Sequence, residues 1–366
     1  MLSDKPETFR ILTCYYRPKP GGFCKRLFRG IRALLDAGHT VHYLAVVPFP
    51  IEHPNCHFHR FPWPEERTSG YLFWGCFHLL APVMLFWIGF RYRIDRAFAF
   101  GHTYSLFLQP LRLVKRVPLA LFLHGDTLAK HRTTDRSETL INFEQYLEGM
   151  GIAGIKIYGV SSSLIKRINA RHKYLHPSKC GVLRNDIEQY SDKKRTASLP
   201  LRTACVGLLE RGKNQRFILD VFEDIPAKEA QLYLYGVGHD EELLRDMTQK
   251  KNMIDRVHFM GWVQSEHIWP EVDLLLMPSL HEGAPLAVLE ALGNKIAVLA
   301  SDISEHAEIL PKKCLLPLGN ATGWQSRILF LAEEPEARLR ELIEEQRVAA
   351  EALRFDWDKD FIKCVV

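Results

Sequence analysis

Two glutamates, Glu282 and Glu290, are the residues of this chain whose type and spacing first suggest chemistry. An apolar run at 273–277 precedes them, Pro285 suits the first turn of a helix, and Gly293 suits the position just after its end. The sequence therefore predicts a buried strand, a loop that carries Glu282 and a helix that carries Glu290. Along a helix that rises ~1.5 Å per residue, the two carboxylates would lie roughly 10 Å apart.

That separation limits the chemistry of the pair. A distance of roughly 10 Å is too wide for two carboxylates that act on one bond as acid and base. It suits the two ends of an extended ligand whose phosphates lie between them, because a helix N-terminus favours anions. The alternative is that Glu282 caps the helix and Glu290 is a solvated surface residue. The spacing alone does not decide between the two interpretations.

The residues around the glutamates resemble a known family. Residues 278–291 read Pro-Ser-Leu-His-Glu-Gly-Ala-Pro-Leu-Ala-Val-Leu-Glu-Ala. This is the usual form of the Glu-x7-Glu motif of the retaining GT-B glycosyltransferases (glycosyltransferase group 1, family 4). The resemblance implies an α/β fold of two Rossmann-like domains with a cleft between them and a C-terminal tail that crosses back to the first domain. It also implies transfer of a sugar from a nucleotide-diphosphate sugar to an acceptor hydroxyl, with retention of configuration.

A second candidate element is the loop after a predicted strand at 204–208, which carries Arg211 and Lys213. Two cations before a helix N-terminus could cradle a pyrophosphate. The family has Gly-Arg-x-x-x-x-Lys at this point. Gly207 and Lys213 match that pattern, whereas Leu208 replaces the arginine. Our hypothesis is that Arg211 supplies the missing cation, and the alternative is that Arg211 is a solvated surface charge.

The first half of the chain offers two candidate loops. Gly21 and Gly22 follow a predicted strand at 9–16, and His124 follows another at 117–123. Ligands of open α/β sheets bind at the carboxyl ends of the strands. The resemblance assigns Gly22 to the donor phosphate and His124 to the transferred sugar. Asp126 and Arg132 follow His124 on the same loop and are weaker candidates. An ordinary turn and a structural histidine are the alternatives.

The resemblance also supplies roles for the remaining candidates. Glu282, His124 and Lys213 would be catalytic, and Glu290 would bind the ribose hydroxyls. Donor contacts would come from a further group, much of it at the start of the helix: Gly22, Arg211, Val263, Gly283, Ala284, Pro285 and Leu286. The donor would be a UDP- or GDP-linked sugar and a substrate, so no cofactor is expected.

A metal site is not expected either. Asp356, Asp358 and Asp360 form a D-x-D-x-D run, but the glycine and closing glutamate of a calcium loop are missing. With a lysine and helix dipoles compensating the charge of the diphosphate, the proposed chemistry does not require a divalent ion.

Charge and cysteine content restrict the partners. Residues 1–200 carry 29 Lys and Arg against 15 Asp and Glu, and residues 201–366 carry 19 against 28, so the first half should face an anionic partner. Zinc-finger spacing and RNP-like aromatic motifs are missing, so we do not expect nucleic acid. The eight cysteines are scattered without a C-x-x-C pair, which is typical of reduced cytosolic thiols. No apolar run of signal-peptide length lies near Met1, so we expect a cytoplasmic protein.

An apolar stretch at 71–90 contains no formal charge and is long enough to span a bilayer. Spanning would place the Gly22 loop and the strands after Ile94 on opposite sides of the membrane, which one sheet does not permit. We therefore predict a helix that lies in the membrane interface with Trp74 and Trp87 at headgroup depth. Three arginines would contact anionic lipid: Arg91, Arg93 and Arg96. A wholly buried helix is the alternative.

These observations predict a domain plan and a function. Residues 1–192 should form the acceptor-side domain, with 350–366 packing back on it, and residues 200–349 should form the nucleotide-sugar domain. A polar linker is expected at 191–200. The membrane-facing first half suggests a glycolipid, lipopolysaccharide or polysaccharide precursor as acceptor, on the cytoplasmic face of the membrane. Two other functions stay open, a nucleotide-sugar epimerase or phosphorylase on the same fold and a non-catalytic scaffold at the membrane.

Overall fold

The structure is a computed structural model that describes residues 7–19, 21–128, 137–188 and 196–366. The chain forms two compact units, one of residues 1–184 with 356–366 and the other of residues 185–355. Arg132 and much of the linker expected at 191–200 lie outside the described residues. Each unit is built on one parallel β-sheet, as the prediction of two Rossmann-like domains requires.

The sheet of the first unit has the strand order β3-β2-β1-β4-β5-β6-β7, and its pairings are parallel. Its strands are β1 (Arg10–Cys14), β2 (Thr40–Ala45), β3 (Cys56–Arg60), β4 (Arg96–Phe100), β5 (Leu119–Leu123), β6 (Lys156–Gly159) and β7 (Cys180–Val182). Each residue of β5 is buried, because helices cover both faces of a parallel sheet and its strands become continuous apolar runs. The strand order reverses between β1 and β4.

Helices connect these strands. They are α1 (Gly22–Asp36), α2 (Gly70–Arg91), α3 (His102–Lys115), α4 (Glu138–Ile152) and α5 (Ser162–Arg171). Helix α1 turns Leu27, Ile31 and Leu34 toward the sheet, which is the apolar face that the sequence predicts for it. Gly21 precedes α1 with a φ of 125°, a backbone conformation that favours glycine.

The sheet of the second unit has the strand order β10-β9-β8-β11-β12-β13. Its strands are β8 (Leu201–Val206), β9 (Ala230–Tyr235), β10 (Val257–Gly261), β11 (Leu274–Met277), β12 (Ala297–Ser301) and β13 (Leu315–Leu316). Its helices are α6 (Gln215–Phe222), α7 (Glu241–Lys250), α8 (Ser265–Ile268), α9 (Leu286–Gly293), α10 (Ser304–Ala307), α11 (Ala321–Glu333) and α12 (Pro335–Ala352). The order reverses between β8 and β11, which are neighbours. In open α/β sheets, the crevice at this switch point is where ligands bind.

The last helix, α13 (Trp357–Val365), belongs to the first unit. Its Phe361 is fully buried and lies 4.8 Å, ring centroid to ring centroid, from Phe122. A Cβ added to Gly30 of α1 would come within 2.7 Å of the Phe361 ring, so α1 and α13 pack in direct contact at this glycine. The C-terminal segment is therefore part of the core of the first unit.

Candidate functional site

The two loops that flank the switch point of the second sheet contact each other. The loop after β8 spans 207–214, and the loop after β11 spans 278–285. The backbone N–H of Leu280 donates to the Gly212 carbonyl (2.9 Å), and Asn214 Nδ2 donates to the Pro278 carbonyl (3.2 Å). Lys213 and Glu282 lie far apart in sequence and come together because β8 and β11 pair.

Lys213 and Glu282 form a partly buried ion pair. Lys213 Nζ donates to Glu282 Oε1 (2.6 Å), and Ser279 Oγ donates to the same oxygen (2.6 Å). The Glu282 side chain is only 6% exposed. Burial alone would raise the pKa of Glu282, but Lys213, Ser279 and His306 together lower it below its usual value. The carboxylate is therefore ionised at neutral pH, and both of these hydrogen bonds fall on one of its two oxygens.

A fully buried histidine lies behind this ion pair. His306 Nδ1 donates to the Ser301 carbonyl (2.9 Å), and Ser301 Oγ donates to the Ser279 carbonyl (2.6 Å). Burial lowers the pKa of His306, although Glu282 acts in the opposite direction. Ser279, Ser301 and His306 were not among the site residues predicted from the sequence. Ser279 follows β11, Ser301 ends β12 and His306 lies on α10 shortly after it. Their position at the carboxyl edge of the sheet was the signal that could have found them.

Glycines allow the loop after β8 to pack closely. The Lys213 side chain lies across Gly207, where a Cβ would be 3.4 Å from Lys213 Cε. A Cβ on Gly236, at the end of β9, would lie 1.9 Å from the Gly207 carbonyl oxygen, and one on Gly238 would lie 2.1 Å from the Leu209 carbonyl oxygen. Only glycine fits at these two positions, because the backbones of the neighbouring loops are in contact.

The cation that the family pattern places at Leu208 is replaced by an exposed apolar side chain. Arg211 lies on the exposed side of the single-turn segment Arg211–Lys213, and no ion pair to its guanidinium occurs within the four described ranges. Lys213 is therefore the cation of this loop that contacts Glu282. The hypothesis that Arg211 acts on a diphosphate stays a prediction.

Glu290 lies on α9, half-buried. Ser265 Oγ, at the start of α8, donates to Glu290 Oε2, and Trp269 Nε1 donates to Ser265 Oγ (2.9 Å). Val263 lies in the turn between β10 and α8 and packs against the core of the unit. The other predicted donor contacts surround the N-terminus of α9, where the helix dipole is positive: Gly283, Ala284, Pro285 and Leu286.

The first unit places His124 directly after β5. The imidazole stacks on the Phe100 ring with 4.8 Å between centroids, and Phe23 of α1 lies edge-on to it at 5.8 Å. Burial, together with the charge of Arg26, lowers the pKa of His124 to about 3. The ring is therefore neutral at physiological pH and can donate one hydrogen bond and accept another. Gly22 begins α1 in the same unit.

Asp126 is held by arginines within the first unit. Arg171 Nη1 donates to it at 2.7 Å and Arg167 Nε at 3.2 Å. Arg171 also contacts Glu148, which accepts a hydrogen bond from His172 (2.8 Å). Asp126 thus ties the His124 loop to α4 and α5, a positioning role that the sequence analysis did not foresee.

The aspartates of the terminal D-x-D-x-D run each have a structural contact. Asp356 caps α13 by accepting from the Lys359 N–H, Asp358 pairs with Arg29, and Asp360 pairs with Lys363. Across the part of the chain that the structure describes, no group of three or more His, Cys, Asp or Glu side chains is arranged to hold a metal ion.

Helix α2 is apolar on two faces. It is long and apolar enough to cross a membrane by length and composition, and a third of its most apolar window is buried. One stripe packs inside the unit: Phe73, Phe77, Ala81, Leu85 and Ile88. The opposite face leaves a second stripe exposed, with Leu79 at 74%, Val83 at 64% and Trp87 at 58%.

Two of the residues expected to contact lipid are engaged within the unit instead. Trp74 is half-buried and packs on Tyr16 with 5.1 Å between ring centroids, whereas Trp87 is exposed. Arg96 lies over the Phe9 ring at 4.5 Å. Arg91 and Arg93 remain exposed. Further exposed apolar side chains lie on α3 and α4: Leu113, Val114, Leu140, Phe143, Tyr146 and Met150.

Parts of this chain are similar to known glycosyltransferases. Residues 200–334 match the family described as Glycosyl transferases group 1. The O-antigen biosynthesis glycosyltransferase WclY of Escherichia coli is 29% identical over 100 residues, 26% of this chain and 28% of that protein. The O-antigen chain mannosyltransferase B of Escherichia coli is 23% identical over 160 residues, 42% of each chain. The chain thus matches less than half the length of these curated relatives.

Solved structures match over nearly the whole chain. Sucrose-phosphate synthase from Thermosynechococcus elongatus has a TM-score of 0.77 at 18% identity, covering 98% of this chain and 97% of its own. HepE of Anabaena in complex with UDP-glucose has a TM-score of 0.74 at 14% identity, covering 97% and 98%. WaaG, described as a glycosyltransferase involved in lipopolysaccharide biosynthesis, has a TM-score of 0.70 at 15% identity, covering 96% and 98%. The fold of this chain is that of the GT-B glycosyltransferases, which confirms the fold class predicted from the sequence.

Proposed function

From the GT-B fold and the group 1 match of residues 200–334, we propose that this protein is a retaining glycosyltransferase. It would transfer a sugar from a nucleotide-diphosphate sugar to an acceptor hydroxyl. The observation that carries the proposal is the contact of Lys213 with Glu282 at the switch point of the second sheet. A cation and a buried carboxylate at this edge suit a ligand that has an anionic diphosphate and a neutral, hydroxyl-bearing sugar.

The leaving diphosphate gains negative charge as the sugar C1–O bond breaks. Lys213 and the N-terminus of α9 would stabilise that charge, since both place positive potential at the same loop. Gly22 and the backbone at 283–286 would contact the phosphates, and Arg211 would add a second cation. Because a lysine and helix dipoles compensate the charge of the diphosphate, no step of this proposed scheme requires a divalent metal.

The sugar becomes oxocarbenium-like as the bond breaks, and polar groups must hold its hydroxyls in place. Both hydrogen bonds to Glu282 described above fall on Oε1, which leaves Oε2 to accept from a sugar hydroxyl. The neutral His124 would contact the sugar, and Glu290 would bind the ribose. The acceptor oxygen would attack C1 on the face that the diphosphate leaves, and its proton would pass to the departing phosphate.

Membrane attachment is the second part of the proposal. The exposed stripe of α2 and the exposed apolar residues of α3 and α4 would lie against the apolar edge of a bilayer. Arg91 and Arg93 would contact anionic headgroups. Among the proteins named above, WclY and mannosyltransferase B are described as O-antigen enzymes, and WaaG as a glycosyltransferase involved in lipopolysaccharide biosynthesis. A glycolipid, lipopolysaccharide or polysaccharide precursor on the cytoplasmic face of the membrane is therefore the proposed acceptor.

A donor screen tests the proposal. UDP-, GDP- and ADP-linked sugars would be incubated with the protein, with and without alkyl-glycoside acceptors, and products followed by NMR. We expect one donor to yield a glycoside whose anomeric configuration equals that of the donor. Conversion of a donor without any acceptor would instead indicate an epimerase, and phosphate-dependent cleavage a phosphorylase. Failure to bind any nucleotide would favour a non-catalytic scaffold.

A further inference from the structure

A serine in the second unit contacts one of the two motif glutamates. Ser265 begins α8, directly after the turn that carries Val263, and Glu290 lies on α9. Ser265 Oγ, Glu290 Oε2 and Trp269 Nε1 form one chain of hydrogen bonds. The family resemblance assigns no role to Ser265 or Trp269.

The direction of each of these two hydrogen bonds follows from the chemistry of its donor and its acceptor. An indole N–H can only donate, so the Trp269 N–H donates to Ser265 Oγ, at 2.9 Å. A serine hydroxyl has one proton, and with the indole as its donor that proton is directed to the Glu290 carboxylate, an acceptor. Trp269 is buried, so its hydrogen bond anchors the Ser265 hydroxyl to the core of the unit.

Glu290 needs such a contact if it is to recognise a ligand. A glutamate side chain has three rotatable bonds, and restricting them on binding costs conformational entropy. A hydrogen bond to Oε2 in the ligand-free protein orients the carboxylate before the ligand arrives. We propose that Ser265 is a positioning residue for nucleotide recognition, which holds Glu290 in the orientation that binds the ribose hydroxyls.

The inference rests on the proposed function and predicts a specific kinetic pattern. The ribose lies away from the bond that breaks, so its contacts are the same in the ground state and the transition state. Loss of the Ser265 hydroxyl should therefore raise the donor KM and leave kcat nearly unchanged. We expect Ser265→Ala to weaken binding of the cognate nucleoside diphosphate by roughly 5- to 20-fold, because a less well oriented Glu290 loses part of its interaction with the ribose.

The decisive experiment compares ribose and deoxyribose ligands by calorimetry. Wild type and variants of the full chain would be titrated with UDP, GDP and ADP, and then with the 2′-deoxy and 3′-deoxy forms of whichever binds. Wild type should prefer the ribose form by roughly 10-fold or more. Ser265→Ala should reduce that preference to about 3-fold or less, because Glu290 loses the hydrogen bond that orients Oε2. Ser265→Thr, which retains the hydroxyl, should restore it.

Controls separate this role from a structural one. Thr248→Ala removes another buried hydroxyl of the same unit, which donates to the Leu244 carbonyl (2.8 Å), and should leave the ribose preference intact. In Glu290→Gln, adding Ser265→Ala should cause no further loss of affinity. Full ribose preference in Ser265→Ala would overturn the inference, as would loss of preference in Thr248→Ala. If wild type binds none of the three nucleotides, the proposed function itself fails.

Discussion

The two oxygens of Glu282 have different surroundings, and this difference defines what the residue can do. Oε1 accepts from Lys213 and Ser279, so it is committed to the protein. The carboxylate stays ionised because its pKa is lowered in spite of burial. An ionised group with one oxygen held in place is a fixed hydrogen-bond acceptor for a neutral ligand, which suits a sugar hydroxyl better than a phosphate.

Replacing the carboxylate by an amide of the same shape tests this assignment. We expect Glu282→Gln to lower kcat by roughly 10²- to 10³-fold, because the ionised acceptor is lost in the transition state. Affinity for the nucleoside diphosphate should stay or rise, since Lys213 loses a competing anion. Steady-state kinetics and calorimetry measure the two effects. Glu242→Gln, an exposed glutamate of α7, serves as the matched control. A kcat within about threefold of wild type would contradict the role of Glu282.

The candidate residues differ in how far sequence could identify them. Lys213 and Glu282 were found because each lies in a motif with a family context, although their contact depends on the pairing of β8 with β11. Ser265 was missed because its partner, Glu290, lies 25 residues further along the chain. His306 was missed because its bond to the Ser301 carbonyl depends on the turn after β12, which a local pattern does not show. A single histidine or serine has no periodic or spacing signal that would indicate such a contact.

At the scale of elements, the strands with continuous apolar runs were predicted and the irregular ones were not. The runs at 117–123 and 273–277 correspond to β5 and β11. The edge strand β3 reads Cys-His-Phe-His-Arg and is only partly buried, so its residues indicate neither a buried nor an alternating strand. Parallel pairing with β2 creates it, and pairing partners are not visible in a local pattern.

The β2–β3 edge predicts a pH dependence of stability. His42 Nδ1 lies 3.0 Å from His59 Nε2, and His57 lies 4.7 Å from His42 between ring centroids. Burial, with the charges of His57, His59 and Arg10, lowers the pKa of His42 to about 4. Between the unfolded value of 6.5 and about 4, the unfolded chain binds a proton that the folded chain does not. The free energy of unfolding should therefore fall as pH decreases through this window.

The contribution of His42 should be on the order of 3 kcal/mol, most of it lost by about pH 4. Chemical denaturation between pH 7.5 and 4 measures it. His42→Phe, which cannot be protonated, should reduce the loss of stability on acidification by that amount. His267→Asn, at an exposed position of α8, should leave it unchanged. Identical pH profiles for wild type and His42→Phe would rule out His42 as the cause.

Helix α13 makes a second prediction at this scale. Phe361 is fully buried and contacts the rings of Phe98, Phe100 and Phe122. Phe361→Ala should destabilise the first unit by about 3–5 kcal/mol, the usual cost of a cavity of this size. Thermal and denaturant unfolding measure the change. Lys363→Ala, at an exposed position of the same helix, should cost less than about 0.5 kcal/mol. A loss of similar size in both variants would contradict the core role of Phe361.

For the whole molecule, the proposed membrane attachment depends on the exposed stripe of α2. Changing Leu79, Val83 and Trp87 together to glutamine should reduce sedimentation with vesicles of anionic and zwitterionic lipid by at least about tenfold, because this face would no longer enter the interface. The fold should persist, since the buried stripe of α2 is untouched. Wild type should bind purely zwitterionic vesicles more weakly than vesicles that contain anionic lipid, because Arg91 and Arg93 then have no anionic headgroups to contact.

The matched control is Val348→Gln with Ile254→Gln, two exposed apolar positions in the second unit. This variant should sediment like wild type. Unchanged vesicle binding by the triple α2 variant would contradict attachment through this helix. Soluble, monodisperse protein without any vesicle binding in wild type would contradict the membrane proposal as a whole.

The position of α13 has a consequence for how the chain is made. The first unit needs residues 356–366, yet residues 185–355 leave the ribosome before them. Until Phe361 arrives, the groove between α1 and the sheet, where Gly30 meets its ring, has no partner. The unit that begins first during synthesis is therefore completed last, after the second unit has had the opportunity to fold. A nascent chain stalled before residue 356 would expose an aromatic groove, and exposed apolar surface of this kind promotes aggregation.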